Sequence, residues 1–455
     1  MDNKINVQEK YPEFIFESFK IERGVNGIHA SFVYKLGEYT FEPSVDISIT
    51  DIRNEWLKDD ILNELFFNFG IINAINYYKL SLAPTFIIKC GTLDETQKQF
   101  FRKLFYNGLG ELMYCNQLSI PFDEFMIIDA PAGVRKELYF DDNFKGNLIT
   151  VGGGKDSVVS LEALRAYRNQ NLCMQFNRDL YPANQAALEC IHLAGYGLNQ
   201  TCNFNLTIDK QLLELNQKGF YNGHVPFSGM LAFACTIVAY LNNIKYIVVS
   251  NEASANEGNI QGSGVNHQYS KSFEFEKDFD NYLRSYLCDK MQYFSLLRCM
   301  NEFQIVEKFI KFPSYLKVFR SCNVGTKTNS WCGNCAKCLY VYIMLYPFLH
   351  KEQLIEIFGR DLLDDTSLAQ IFNSLINPDT TKPFECVGTR EEINYALKLA
   401  VEDESASTPL PKLLEWYRAN YNPTIQYNVA DYYNAEHNIP EEYLKALQAL
   451  WKNKS

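Results

Sequence analysis

The chain divides by the period at which its apolar residues recur. Over residues 14–50, aromatic and β-branched residues alternate with polar ones, and Gly24, Asn26, Gly27 and Gly37 supply turn chemistry, which predicts hairpin strands. Helical spacing follows over 56–77 and 94–106, around a short apolar strand at 85–89, and the run Asp129-Ala130-Pro131-Ala132-Gly133 breaks the pattern. Beyond Asn147 the period changes. Short apolar strands at 148–151, 172–176, 202–206 and 244–249 are separated by helix-length segments, which predicts βαβ units and a parallel sheet with its ligand side at the carboxyl ends of the strands. From about His350 onward the spacing is helical, over 352–358, 367–376, 391–401, 411–421 and 441–451. The expectation is an α/β protein in three parts: an α+β region over 1–135, a parallel-sheet domain over 136–348 and a mainly helical region over 349–455.

Composition narrows the class. A length of 455 residues with 47% hydrophobic and 21% charged side chains excludes wholesale disorder, collagen and coiled coil. A net charge of −11 argues against nucleic acid as the partner. The start of the chain, with Asp2, Lys4, Glu9 and Lys10 and no apolar run, predicts no secretory leader and a cytoplasmic location. The apolar stretch over 227–241 is too short to cross a bilayer and reads as a buried helix, so no membrane partner is expected. Thirteen cysteines, most of them single in apolar surroundings such as Cys235, read as reduced thiols. Nothing in the sequence fixes an oligomeric state.

Four segments carry chemistry. The strand ending at Val151 runs into Gly152, Gly153 and Gly154 and then, through Lys155, Asp156 and Ser157, into a helix. Three glycines at a strand-to-helix turn let backbone approach an anion, which the exposed N–H groups and the helix dipole would bind. The turn is neither Gly-x4-Gly-Lys-Ser/Thr nor Gly-x-Gly-x-x-Gly. Second, Cys322, Cys332, Cys335 and Cys338 have the spacing of a tetrahedral zinc site with no open position; unmetallated thiols and an iron–sulfur cluster are the alternatives. Third, a polar block follows the fourth strand of the parallel set. In it Glu252 and Asn256 are candidates to reach metal or phosphate, His267 and Lys271 to transfer protons or hold a carboxylate, and Asn266, in the stretch from Gly264, to bind substrate. Fourth, Cys386 and Arg390 lie in an irregular segment, where a thiolate can take a proton and a guanidinium can grip a carboxylate. The segment 221–228, which opens the buried helix, is a weaker candidate for substrate contact.

The glycine turn resembles the PP-loop of the ATP pyrophosphatases, Ser-Gly-Gly-x-Asp-Ser, with Gly153 and Gly154 matching its glycine pair, Asp156 and Ser157 its closing pair, and Gly152 in place of its serine. That resemblance implies the PP-loop fold and ATP as cofactor, held by residues 152–157, with Mg2+ beside Asp156. The stretches Val-Gly-Gly-Gly-Lys-Asp-Ser, Ser-Asn-Glu-Ala-Ser-Ala-Asn, Val-Asn-His-Gln-Tyr-Ser-Lys-Ser, Cys-Gly-Asn-Cys-Ala-Lys-Cys and Lys-Pro-Phe-Glu-Cys-Val-Gly, taken together, resemble the bacterial UDP-N-acetyl-α-D-muramoyl-L-alanyl-L-glutamate epimerases. The likeness extends to Phe69-Gly70-Ile71-Ile72 and Tyr78-Lys79-Leu80-Ser81 and so covers most of the chain.

The resemblance implies an isomerase of peptidoglycan synthesis that inverts the terminal L-glutamate of a sugar-nucleotide dipeptide and releases AMP and diphosphate. The chemistry is reasonable on its own terms, because adenylation cancels the carboxylate charge that would otherwise oppose removal of the adjacent proton. His267, Lys271 and Cys386 are the candidates for the proton-transfer groups, unranked, with Glu252 beside them. Two rival readings are another PP-loop enzyme acting on a nucleobase or tRNA, and a nucleotide-binding module without catalysis.

Overall fold

The structure is a computed structural model. It describes residues 7–452 apart from 25–26, 49–56, 136, 180–183, 261–264, 404–408, 422, 424 and 427. Asn26, Thr50, Trp56, Gly264 and the charged residues up to position 6 therefore lie outside the described residues.

Among the described residues, eleven strands join in one sheet. They are β1 (Glu13–Gly24), β2 (Gly27–Leu36), β3 (Tyr39–Phe41), β4 (Ser44–Ser48), β5 (Thr85–Ile88), β6 (Ile127–Asp129), β7 (Asn147–Thr150), β8 (Asn171–Arg178), β9 (Thr201–Thr207), β10 (Tyr246–Val249) and β11 (Gln292–Ser295). Along the sheet they run β11-β10-β7-β8-β9-β4-β2-β1-β5-β6, with β3 on β2. From β11 to β9 every pairing is parallel. The sheet continues past residue 135, because β4 pairs antiparallel with β9 from Ser44↔Thr207 to Ser48↔Asn203. Thus the α/β class holds, with a mixed sheet in place of a separate parallel one. The strands β6 and β11, three and four residues long, are too short to show a period of their own.

Successive residues on the central strands face opposite layers, as the pleat requires. Leu148, Met174 and Ile247 join one core, with the buried helices Asp59–Asn73 and Phe227–Leu241. Ile149, Cys173 and Val248 join a second, with Lys155–Ala163, Ala336–Leu345 and the C-terminal helices. Those helices are Lys351–Phe358, Ala369–Ile376, Arg390–Asp403, Lys412–Asn420 and Glu441–Lys452, close to the positions their spacing predicts. Glu441–Lys452 returns to the sheet, where the Tyr443 hydroxyl donates to Asn147 Oδ1 at 2.5 Å and its ring stacks on Phe294.

The chain starts the parallel part of this sheet at β7, adds β8 and β9 on one side, then crosses to β10 and β11 on the other. That reversal opens a crevice beyond the carboxyl ends of β7 and β10, the expected ligand side of a doubly wound sheet. No helix among the described residues is long and apolar enough to cross a membrane. All thirteen cysteines are free.

Candidate active site

The turn after β7 is shaped by what its glycines touch. Gly153 has φ +78°, and a Cβ there would lie 2.7 Å from Ala187 N. A Cβ on Gly154 would lie 2.9 Å from Ser321 Oγ, whereas one on Gly152 would meet nothing within 4 Å. The turn is clamped from outside: Asn184 Nδ2 donates to Gly152 O at 2.9 Å and Arg320 N to Gly153 O at 2.8 Å. It feeds the helix Lys155–Ala163, whose start has no side-chain cap. Its first N–H groups and its dipole are free to meet an anion. Ser157 turns inward, its Oγ donating to Gly154 O at 2.8 Å.

Beneath the turn lies an acidic group. Oxygens of Asp156, Glu252 and Glu302 lie within 4.8 Å of one another. Lys155, buried, pairs with Glu302 and, at 2.5 Å, with Asp156. Burial opposes its charge, but the two carboxylates outweigh it and hold it as an ammonium. Burial also raises the Glu302 carboxyl; Lys155 works against this, and Asp156 and Glu252 add to it. Only Asp156 of the three is appreciably open, its side chain 31% exposed. The Tyr340 hydroxyl is buried beside this group with no hydrogen-bond partner among the described residues.

The third group adjoins the second. Lys271 Nζ lies 3.2 Å from Cys386 Sγ, across 115 residues of chain. His267 pairs through Nδ1 with Glu111 Oε2, and its ring stands 4.0 Å, centroid to centroid, from that of His224. Burial raises the Cys386 thiol, but Lys271, then His267 and Lys337, outweigh it, so the sulfur is held well below its ordinary range, as a thiolate. Burial would discharge His267; Cys386 and Glu111 instead push it up to about 9. Thiolate, imidazolium and ammonium thus face one space. The segment that carries Cys386 needs Gly388, where a Cβ would lie 2.7 Å from Glu392 Oε2 and 2.9 Å from the Tyr340 hydroxyl.

A buried arginine fixes the loops. Arg298, wholly buried just after β11, donates from Nη1 to Glu252 O at 2.6 Å, from Nη2 to Lys271 O, and from Nε to Glu276 Oε2 at 3.1 Å. Replacing one partner of such a pair strands the other's charge. Arg298→Leu is expected to destabilise the protein by about 3–5 kcal/mol, and adding Glu276→Leu to recover part of that, both read by urea unfolding. The asparagines serve the same scaffold. Asn256 Oδ1 accepts from Phe273 N at 2.7 Å, Asn266 Nδ2 donates to Ala255 O at 3.0 Å, and Asn259 joins His267 N at 2.8 Å to Pro383 O at 2.9 Å. Arg390 donates to Thr380 O at 2.6 Å, and no contact among the described residues joins it to Cys386.

The four clustered cysteines converge. Sulfur separations are 3.9 Å for Cys322–Cys335, 3.7 Å for Cys332–Cys338 and 3.5 Å for Cys335–Cys338. A tetrahedral ion with bonds of about 2.3 Å requires sulfurs roughly 3.8 Å apart, so the four fit one ion. Backbone N–H groups of Gly325 and Asn334 point at Cys322 and Cys332, as suits thiolate ligands.

Of the residues singled out by sequence, the fold gathers the glycine turn, Asp156, Glu252, His267, Lys271 and Cys386 around one crevice. Glu111, Glu302, Arg298 and Tyr340 went unread, since each sits in an ordinary helix or loop start with no motif to mark it. A family model described as the MurL N-terminal domain matches residues 5–296, and one described as the MurL C-terminal domain matches 318–424. A curated protein of Xanthomonas oryzae pv. oryzae, named UDP-N-acetyl-alpha-D-muramoyl-L-alanyl-L-glutamate epimerase, is 34% identical over 72% of this chain and 72% of its own length. Proteins of the same name from a Micromonospora species and from Salinispora tropica are each 33% identical; the first covers 83% of this chain and 84% of its own length, the second 73% and 72%. With two family models spanning most of its length and three such relatives, the chain belongs to the MurL family.

Proposed function

We propose that this protein is an ATP-dependent epimerase that inverts the terminal L-glutamate of UDP-N-acetylmuramoyl-L-alanyl-L-glutamate in the cytoplasm, for peptidoglycan synthesis, on a PP-loop fold. The observation that carries the reading is the 3.2 Å contact of Lys271 with the Cys386 thiolate in the crevice that also holds an uncapped, glycine-lined anion turn. The names of the relatives supply the substrate.

In this reading the triphosphate of ATP lies on the backbone of residues 152–154 and the first turn of the helix, with Ser157 bracing the turn from inside. The glutamate α-carboxylate attacks the α-phosphate, forming an acyl-adenylate and diphosphate. The acyl carbonyl, now without its negative charge, can accept the electron pair left when the Cα proton departs. Cys386 is the base that takes this proton. His267, held as an imidazolium by Cys386 and Glu111, is the acid in the cluster, and Lys271 keeps the sulfur ionised. Water then releases AMP and the D-glutamyl product. Asp156, the open carboxylate, would hold Mg2+, which would supply charge neutralisation for the departing diphosphate. Glu302 steadies Lys155, and the charge of Glu252 supports Lys271. The four cysteines would hold a structural Zn2+.

The test is to incubate the protein with ATP, Mg2+ and the UDP-muramoyl dipeptide in heavy water. One deuterium at the glutamate Cα, D-glutamate on hydrolysis, and AMP are expected. Absence of both deuterium and AMP rejects the reading.

A further inference from the structure

Beyond the cluster at Cys386, on the side of His224, basic side chains gather in a chain whose net charge is −11. Lys79 is 8% exposed, and its ammonium bonds to neutral oxygens, Gly223 O at 3.0 Å and Asn222 Oδ1 at 3.4 Å. His224 follows at once, its ring 4.0 Å from that of His267. Arg178 ends β8, on the crevice side, with its guanidinium over the ring of Phe227 at 4.7 Å. Phe227 opens the helix that begins three residues after His224.

Charge decides what belongs there. Burial pushes His224 down to about 3, and His267, Arg178, Lys79 and Lys271 act in the same direction, so this imidazole is neutral among cations. Burial, with Arg178, likewise pushes Lys79 down to about 8. The two acids that face His224 and His267 among the described residues are engaged, Glu111 with His267 and the Cys386 thiolate with Lys271. A buried ammonium held only by neutral oxygens is unfavourable until an anion joins it. A metal is the competing occupant, because ligand atoms of Glu111, His224 and His267 lie within 4.8 Å of one another. The surrounding cations repel a metal and attract an anion.

We propose that Lys79, His224 and Arg178 form the pocket for the side-chain carboxylate of the glutamate being inverted, and so select glutamate over its uncharged analogues. The assignment rests on the epimerase reading. Two properties of the substrate single out this group. The α-carboxylate loses its charge on activation and is directed to the glycine turn, whereas the side-chain carboxylate keeps its charge throughout. It is also only three bonds from Cα, so a pocket one imidazole beyond Cys386 is within its reach. The diphosphate of the sugar nucleotide is separated from Cα by an alanine, a lactyl group and a sugar, too far to occupy a pocket bordering the proton-transfer cluster. His224, uncharged, can donate one hydrogen bond, while Lys79 and Arg178 supply the charge.

The experiment compares the dipeptide ending in L-glutamate with the same compound ending in L-glutamine, following deuterium uptake at Cα. Wild-type protein is expected to favour glutamate by at least about 100-fold in kcat/KM, because a site built for a charged group rejects a neutral isostere. Lys79→Gln should lose about 100-fold on glutamate, chiefly through KM, and little on glutamine, so the ratio collapses; Lys79→Arg should keep most of it. A cooperative thermal melt verifies that Lys79→Gln is folded, and if it is not, Arg178→Gln is read in the same way. A folded variant with the wild-type ratio overturns the assignment, as does metal bound stoichiometrically at Glu111, His224 and His267. If wild-type protein incorporates no deuterium from either compound, the epimerase reading itself has failed.

Discussion

Cys386→Ala is expected to slow deuterium uptake at the glutamate Cα by about 1,000-fold, within the range that a positioned base contributes. The reason is specific to this sulfur. A thiol in a partly buried, irregular segment would normally stay protonated, but Lys271 at 3.2 Å, then His267 and Lys337, reverse the cost of its burial. Alanine removes the proposed base and leaves the glycine turn untouched, so AMP formation should persist, uncoupled from inversion, and the two readouts should separate. Cys386→Ser should do little better, since a hydroxyl remains neutral beside the same cations. A pH profile adds a second check. His267 is raised to about 9, so its imidazolium is present below that pH and is lost as pH rises through it. Exchange in the wild type should therefore fall along an alkaline limb near pH 9. Glu111→Gln, which removes one of the two groups raising His267, should move that limb downward. Exchange that survives Cys386→Ala at the wild-type rate would assign the base elsewhere.

How much of this was legible in the sequence depended on whether the signal was local. The glycine turn could be read because strand, glycines and helix are consecutive, and the cysteine cluster because three of its members lie within seven residues. The helix over 227–241 was legible from its unbroken apolar run. Lys271 and Cys386 each stood out as chemically able residues, but their contact depends on Asn259 tying the His267 loop to Pro383, a tertiary link with no periodicity. Glu111 was hidden because its six-residue helix, Gly110–Cys115, lies in the N-terminal region and reaches the site only through the fold. Arg298 was hidden for a different reason. A guanidinium at 0% exposure contradicts the usual placement of arginine, and it is stable there because Glu276 and the carbonyls of Glu252 and Lys271 surround it. The sheet's continuity across β4 and β9 was likewise invisible, because alternation marks each strand without naming its neighbour.

Stripping the proposed zinc from the cysteine cluster is expected to produce the largest loss of stability. A structural zinc contributes on the order of 10 kcal/mol in isolated zinc-finger peptides, and a larger core retains folding while losing much of that locally. The consequence should extend to the crevice, because the chain leaving the cluster becomes the wall of the anion turn. Cys322 is preceded by Ser321, whose Oγ lies where a Cβ on Gly154 would press, and by Arg320, whose N–H holds Gly153 O at 2.8 Å. Without the proposed ion the four thiolates would repel one another, the 320–322 segment would loosen, and the turn would lose its outer clamp. Chelation, or Cys338→Ser, should therefore lower the melting temperature, raise backbone hydrogen exchange in 318–338 and in 151–157 together, and weaken nucleotide binding by at least about 10-fold. Elemental analysis of the untreated protein should give one zinc per chain. A protein that holds no metal as isolated, or whose exchange on chelation rises in 318–338 while 151–157 stays protected, would separate the cluster from the turn. The clamp would then rest on Asn184 and the packing of Ala186 and Ala187 against Gly153.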